Sequence, residues 1–315
     1  MLFRSHALVP LVRSQARGVE RARQDVIVGF DGSPQAEDAL GLGRRLAEAI
    51  SARLVVANVF FLPRSLDPAR LAAHERDERM RAEGMLTIAA ARADYPDVEY
   101  VPVGSASAAR GLHDLADERD AVAVVVGSTD RGDIGAVAPG SVARRLLSGA
   151  PCAVAIAARG GTDKLEAFGV AYDGTDESRD ALDGAVRLAP RVGAHVDVLG
   201  VVRWTSTPNE PGGVVAGDTG VPEQLRADLQ RQCDDALDSI PEALRGSARV
   251  QVGDPAELLA ASSRALDLLV CGSRSHGRVH QVLLGSVSAQ LVDRARCSVL
   301  VVPRGGRRVD ESRIR

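Results

Sequence analysis

The chain reads as two tandem α/β domains, each a parallel sheet covered by helices on both faces, and three observations predict this. The first is an internal repeat. VIVGFDGSPQAEDAL (residues 26–40) returns without gaps as FGVAYDGTDESRDAL (168–182), so Asp31 falls on Asp173 and Leu40 on Leu182, 142 positions apart. Farther on, VAVVVGSTDRGDIGAVAPGSVARRLLSGAPCAVAI (122–156) matches LDLLVCGSRSHGRVHQVLLGSVSAQLVDRARCSVLVV (266–302), with Gly127 on Gly272, Gly140 on Gly285, Ser141 on Ser286 and Cys152 on Cys297, each 145 apart. A repeat of this length is a whole domain and not one turn of a solenoid. The second observation is that strand-like and helix-like periodicities alternate within each copy, which implies right-handed crossovers. The third is that the strands are continuous apolar runs, as strands covered on both faces must be.

In the first copy, residues 25–30 are a short β-branched run closed by Asp31-Gly32. Ser33 caps the next helix with Pro34 at its first position, and Ala39, Leu40, Leu42, Leu46, Ala47 and Ile50 keep helical spacing. A strand at 53–59, a charged helix around 69–93, a strand at 98–103, a helix near 106–119 and a strand at 122–127 follow. A loop then leads to a helix from Ser141 and a last strand at 152–157. The second copy repeats this order, so each half is a Rossmann-like α/β/α domain with a five-stranded parallel sheet. Domain one spans 24–158 and domain two 166–304, joined by a polar, glycine-bearing linker at 159–165. Residues 1–23 and 305–315 read as tails; the first is arginine-rich but lacks the apolar core and small-residue cleavage site of a secretory signal.

Composition narrows the function. At 315 residues with 45% apolar and 26% charged side chains the chain can bury sizeable cores, and no apolar run approaches the ~20 residues that cross a bilayer. A net charge of −3 without a basic run gives no support to nucleic-acid binding. Lys164 is the only lysine, which removes mechanisms built on a phosphate-loop or Schiff-base lysine. Cys152, Cys233, Cys271 and Cys297 lack CxxC spacing and read as buried reduced thiols. These features point to a cytoplasmic location.

Ligands of such sheets bind beyond the carboxyl ends of the strands. Two signatures fall there in each half: Asp-Gly after the first strand (Asp31-Gly32, Asp173-Gly174), and the loop after the fourth, which ends in Gly-Ser at a helix start. A helix start leaves backbone N–H groups unpaired, and glycine lets a phosphate approach them. Ser286 then either caps the helix or donates its hydroxyl to phosphate; alone, Gly-Ser is also an ordinary turn and N-cap.

With a glycine thirteen positions before it in each half, the pattern resembles the universal stress protein family, and residues 24–304 resemble a tandem pair of its domains. The ATP-binding branch of that family carries G-x2-G-x9-G-[S/T] after the fourth strand and an aspartate after the first. GSRSHGRVHQVLLGS fits that frame with Ser275 at the second glycine, and GSTDRGDIGAVAPGS fits with Asp130 there. The resemblance implies an adenine nucleotide alpha hydrolase-like fold and ATP, with Mg²⁺, as ligand. Asp173 is similar to the aspartate beside the nucleoside, Val201 to the residue whose backbone reads adenine, and Gly272 and Ser275 to the first two loop glycines. Gly285 and Ser286 are similar to the phosphate cradle. Asp31, Val59, Gly127, Gly140 and Ser141 are their matches in the first half. Asp130 either brings a carboxylate toward the phosphates, a like-charge contact of about 4 kcal/mol at ~4 Å and an effective ε of 20, or pairs with Arg131 and leaves the cradle intact. The first reading weakens or abolishes ATP binding in the first half. Arg274, Arg278 and His276 are further polar groups of the second loop.

Two classes of function remain: a stress-response regulator whose ATP state controls association or partner binding, or a slow ATPase or phosphotransferase. A nucleotide-free interaction module is the third reading. Phosphoryl transfer needs a cation clamp, placed metal ligands and a group that orients the nucleophile; the loop offers backbone donors and no lysine, so no catalytic residue is assigned. The last strands, CAVAIAA and CSVLVV, are apolar and would sit at sheet edges, which must pair or be covered. The family pairs its domains through this strand, so the halves are expected to form an internal pseudo-dimer, with homodimerisation of two chains left open and a regulatory partner unidentified. RWTSTPNEPGGVVAGDTGVP (203–222), rich in Pro and Gly, reads as a lid over the second site or as a plain surface insertion.

Overall fold

The computed structural model describes residues 24–63, 67–130, 133–161, 164–203, 223–273, 282 and 285–305. The first half contains β1 (Asp25–Gly29), α1 (Pro34–Ile50), β2 (Arg53–Phe61), α2 (Pro68–Ala90), β3 (Val98–Ser105), α3 (Ala108–Glu118), β4 (Ala123–Gly127), α4 (Ser141–Leu146) and β5 (Ala153–Ala157). The second half repeats it as β6 (Ala167–Ala171), α5 (Asp176–Val192), β7 (His195–Arg203), α6 (Glu223–Asp238), β8 (Arg245–Gly253), α7 (Pro255–Ser262), β9 (Leu268–Gly272), α8 (Ser286–Val292) and β10 (Ser298–Val302). Local chemistry explains the starts. Ser33 caps α1 by accepting from the Ala36 N–H at 3.2 Å, with Pro34 just inside, and Thr175 does the same for α5 through the Ser178 N–H at 3.3 Å.

The halves do not keep separate sheets. Ten strands form one sheet in the order β3-β2-β1-β4-β5-β10-β9-β6-β7-β8. Every neighbour is parallel except β5 and β10, which pair antiparallel with Leu300 opposite Ala155. The apolar end strands that the sequence left at an edge are thus joined at the centre, and their backbone groups are satisfied by one another.

Alternation along each strand sends side chains to two apolar layers that both run through the two halves. One holds Val26, Leu46, Leu54, Phe168, Leu188 and Ile240; the other holds Ile27, Leu112, Leu146, Ile156, Leu259 and Leu291. Polar contacts repeat across the pseudo-dyad. The Val137 N–H donates to the Ala295 carbonyl at 3.0 Å, and 145 positions on the Val282 N–H donates to Ala150 at 2.9 Å. Each loop after the fourth strand is therefore anchored on the other half. Arg144 pairs with Asp293 at 2.7 Å and Arg296 with Asp133 at 2.6 Å beside these anchors.

At the amino ends of the first-half strands, buried Asp25 accepts two hydrogen bonds from Arg53, at 2.9 and 2.8 Å. Glu99 accepts two from Arg119, at 2.8 and 2.7 Å, and Arg53 bridges the pairs. This network ties β1, β2, β3 and the end of α3 together at the pole opposite the loops.

Candidate functional site

In the second half a cleft of about 450 Å³ opens beyond the carboxyl ends of β6, β7 and β9, a volume typical of small-molecule sites. Asp173, Val201, Gly272, Gly285 and Ser286, all singled out from the sequence, line it. Parallel strand order brings them together: β6 and β9 are neighbours, β7 lies on the other side of β6, and the loops after all three converge. Ser275, Arg274, Arg278, His276 and residues 204–222 lie outside the described residues.

Asp173 is set by its own turn. Gly174 has φ +79°, a left-handed value natural for glycine, and one carboxylate oxygen, Oδ1, accepts from the Thr175 N–H at 3.1 Å and hydroxyl at 2.6 Å. The same oxygen therefore orients the aspartate and fixes the hydroxyl that caps α5. Asp31 repeats this with Ser33, at 3.0 and 2.6 Å.

The loop glycines divide into two kinds. A Cβ at Gly272 would lie 2.4 Å from the Glu177 carbonyl oxygen, and at Gly127 it would lie 2.2 Å from that of Gln35. Those glycines are demanded by the close approach of the first helix of each half to the fourth strand, so packing accounts for them without a ligand. Gly285 is different. Its φ of −71° suits any residue, and among the described residues the nearest atom to its missing Cβ is the Ser288 hydroxyl at 4.0 Å. Nothing among the described residues requires glycine there, and Gly285 lines the cleft.

The helix start also corrects the sequence reading. Gly285 itself is the N-cap of α8 and Gly140 that of α4, neither with a side-chain cap, and Ser286 and Ser141 occupy the first helical position. A residue at that position has already entered the helix and cannot cap its own amides. Ser286 is exposed at the cleft, with its hydroxyl available to a ligand. Ser288, one turn in, donates to the Gly272 carbonyl at 3.1 Å and ties the helix start to β9.

Sequence reasoning missed Glu177. Its carboxylate is buried at the cleft and pairs with the Arg304 guanidinium at 3.4 Å, while the Arg304 N–H donates to the Ser273 hydroxyl at 3.2 Å. Its place in the first turn of α5, four residues after Asp173, was the available signal. Tyr172, Arg203, Pro255 and Leu259 also line the cleft and become neighbours only through strand order. Cys271, at the cleft floor, has its thiol pushed up to about 12 by burial, so it offers no thiolate.

The first-half loop packs against its own helix start. The Thr129 side-chain methyl stands 3.0 Å from where a Gly140 Cβ would be. The loop is folded on itself: the Thr129 N–H donates to the Ala138 carbonyl at 2.8 Å, and Ser128 exchanges hydrogen bonds with the same residue at 2.6 and 3.2 Å. Val59 is crowded by α3, since a Cβ on Gly111 would come within 2.6 Å of it. Asp130 is exposed and its carbonyl accepts from Arg159 at 3.0 Å; the alternative partner Arg131 lies outside the described residues.

Comparison with known proteins fits this architecture. A profile of the Universal stress protein family matches residues 22–158 and again 166–303. A universal stress protein of Mycobacterium tuberculosis strain H37Rv is 28% identical over 297 residues, covering 88% of this chain and 99% of its own length. Universal stress protein YxiE of Bacillus subtilis is 31% identical over 141 residues, covering 42% of this chain and 95% of its own. Among solved structures, a universal stress protein from Archaeoglobus fulgidus superposes with a TM-score of 0.63 at 18% identity, covering 89% of this chain and 98% of its own, a likeness of fold. With both halves matched and the shared fold running through the whole sheet, the chain belongs to the universal stress protein family, as a tandem two-domain member.

Proposed function

We propose that this chain is a cytoplasmic stress-response regulator that binds ATP in the second-half cleft, and that occupancy biases the association or partner surface the protein presents. The observation that carries this reading is Gly285: a glycine that no described residue requires by packing, lining a large cleft, beside a helix start without a side-chain cap. The residues fit a nucleotide. Gly285 and the exposed Ser286 hydroxyl suit phosphate, Oδ2 of Asp173, which takes no hydrogen bond among the described residues, suits a ribose hydroxyl, and the Val201 backbone suits the base, in keeping with the family pattern. Among the described residues no group of three or more His, Cys, Asp and Glu side chains could hold a metal, so Mg²⁺ would arrive on the phosphates.

The domain units in this reading are 24–158 and 166–304, joined by 159–165. The first serves as a structural partner, because Thr129 sits against Gly140 and its loop is closed on itself. Transmission follows from connectivity: Val282 belongs to the same loop as Gly285 and is anchored on Ala150 of the first half. The slow-ATPase reading is weaker, since the only lysine, Lys164, sits in the linker.

Calorimetric titration of nucleotide-stripped protein with Mg-ATP tests the proposal. One site per chain, weakened in Ser286→Ala, is expected. Two equal sites would overturn the assignment of the first half, and Asp130→Gly would then be without effect. The absence of heat and of a thermal shift at millimolar ATP would leave an interaction module on the same fold.

A further inference from the structure

The pseudo-dyad relates two clefts at the seam whose linings differ. Between α1 and α5, at the amino ends of β1, β4 and β5, lies a second cavity of about 110 Å³, remote from the loop cleft and walled by Val26, Leu46, Ile50, Leu188, Leu300 and Val302. Two small residues line it. Val26 stands where the second half has Phe168, and Gly184 where the first half has Leu42, both at the 142-residue offset. Leu300 and Val302 stand where the first half has Ala155 and Ala157, at the 145-residue offset, and recover part of that room. The dyad-related region holds the fully buried Phe168, and the cleft there, about 140 Å³, is polar instead, lined by Glu37, Asp38, Arg45 and Asp267. An apolar cleft of this size, open at one side, can take a small guest with an apolar body.

The mouth is also asymmetric, and it sets the charge of the guest. Arg187 lines the cavity, is exposed, and has no carboxylate partner among the described residues. Its counterpart Arg45 is held by Glu48 at 2.7 Å, but the residue matching Glu48 is Pro190, so the second-half arginine has lost its intrahelical partner. An apolar chamber with an uncommitted guanidinium at its entrance matches a molecule with an apolar body and one carboxylate. We propose that this seam cavity is a second ligand site, taking a small aromatic or short-acyl carboxylate of about benzoate size, independent of the nucleotide cleft.

The test is a titration of the full chain with sodium benzoate and, separately, with benzene, followed by calorimetry and by methyl NMR shifts. Saturable binding of benzoate is expected, with shifts confined to the seam. Arg187→Gln should weaken benzoate at least tenfold and leave benzene unchanged. Gly184→Leu, which restores the residue of the other half, should abolish both; Gly184→Ala, whose Cβ would meet Val302 at an ordinary 3.4 Å, should weaken both with folding retained. No saturation by either probe, or binding indifferent to both Gly184 variants, would overturn the proposal. Mg-ATP titration of the same variants keeps the two sites apart, because their nucleotide affinity should match the parent chain's whether or not that affinity is measurable.

Discussion

Replacing each of the two second-half loop glycines gives opposite results if the structure is right about why they are glycine. In Gly272→Ala the new methyl would sit 2.4 Å from the Glu177 carbonyl oxygen and 2.7 Å from its carbon, about an ångström inside an ordinary contact. Neither α5 nor β9 can yield that distance without disturbing the buried layers on both faces, so the cost is that of overpacking, about 1–3 kcal/mol. Gly285→Asp meets no such obstacle, because its φ of −71° suits aspartate and the nearest described atom is 4.0 Å away. It supplies the side-chain cap that α8 lacks and should stabilise by a few tenths of a kcal/mol. The same carboxylate opposes an incoming phosphate by about 4 kcal/mol at ~4 Å before screening, which corresponds to several hundredfold in affinity. Urea unfolding and Mg-ATP calorimetry on the two variants read both quantities. A lower midpoint with unchanged slope is expected for Gly272→Ala, and an unchanged or higher midpoint with ATP binding lost for Gly285→Asp. Parent-like ATP affinity in Gly285→Asp, or equal destabilisation of both, would refute the division of the glycines into packing and ligand types.

Other measurements check the remaining physics. Asp25→Asn removes a buried charge that accepts two arginine hydrogen bonds, and should lower unfolding free energy by about 2 kcal/mol, read by urea midpoint. Glu99 is held below the usual carboxylate range by its hydrogen bonds from Arg119, against an opposing push from burial. A carboxylate depressed in the folded state contributes fully above its unfolded pKa, so this contribution should be intact above about pH 5 and disappear as pH falls through and below about 4. Glu99→Gln should flatten that part of the stability profile, and a profile identical to the parent's would count against the network. All four cysteine thiols are buried and pushed up to about 12, so none should react with a thiol reagent in native buffer and all four should react in urea. Rapid labelling of any of them in the folded chain would contradict the burial.

Much of this molecule is local or periodic and therefore legible in one dimension. The repeat fixes two copies, the alternation of periods fixes an α/β sandwich, and Ser33-Pro34 and Thr175 mark helix starts by their own hydrogen bonding. The aspartate turns could be read because Asp-Gly is a local conformational unit. Other facts depend on atoms that only folding brings together. That packing demands a glycine at 272 turns on the Glu177 carbonyl, which approaches it from a helix nearly a hundred residues away in sequence. Glu177 and Arg304 meet at the cleft because β10 returns beside β9. The fusion of two sheets into one, and the apolar cleft lined by Val26 and Gly184 at the seam, exist only through antiparallel pairing of β5 with β10 and the packing of α1 on α5. Sequence alone determined the two folded units and the places where loops converge; long-range packing decided which of their residues the fold itself demands.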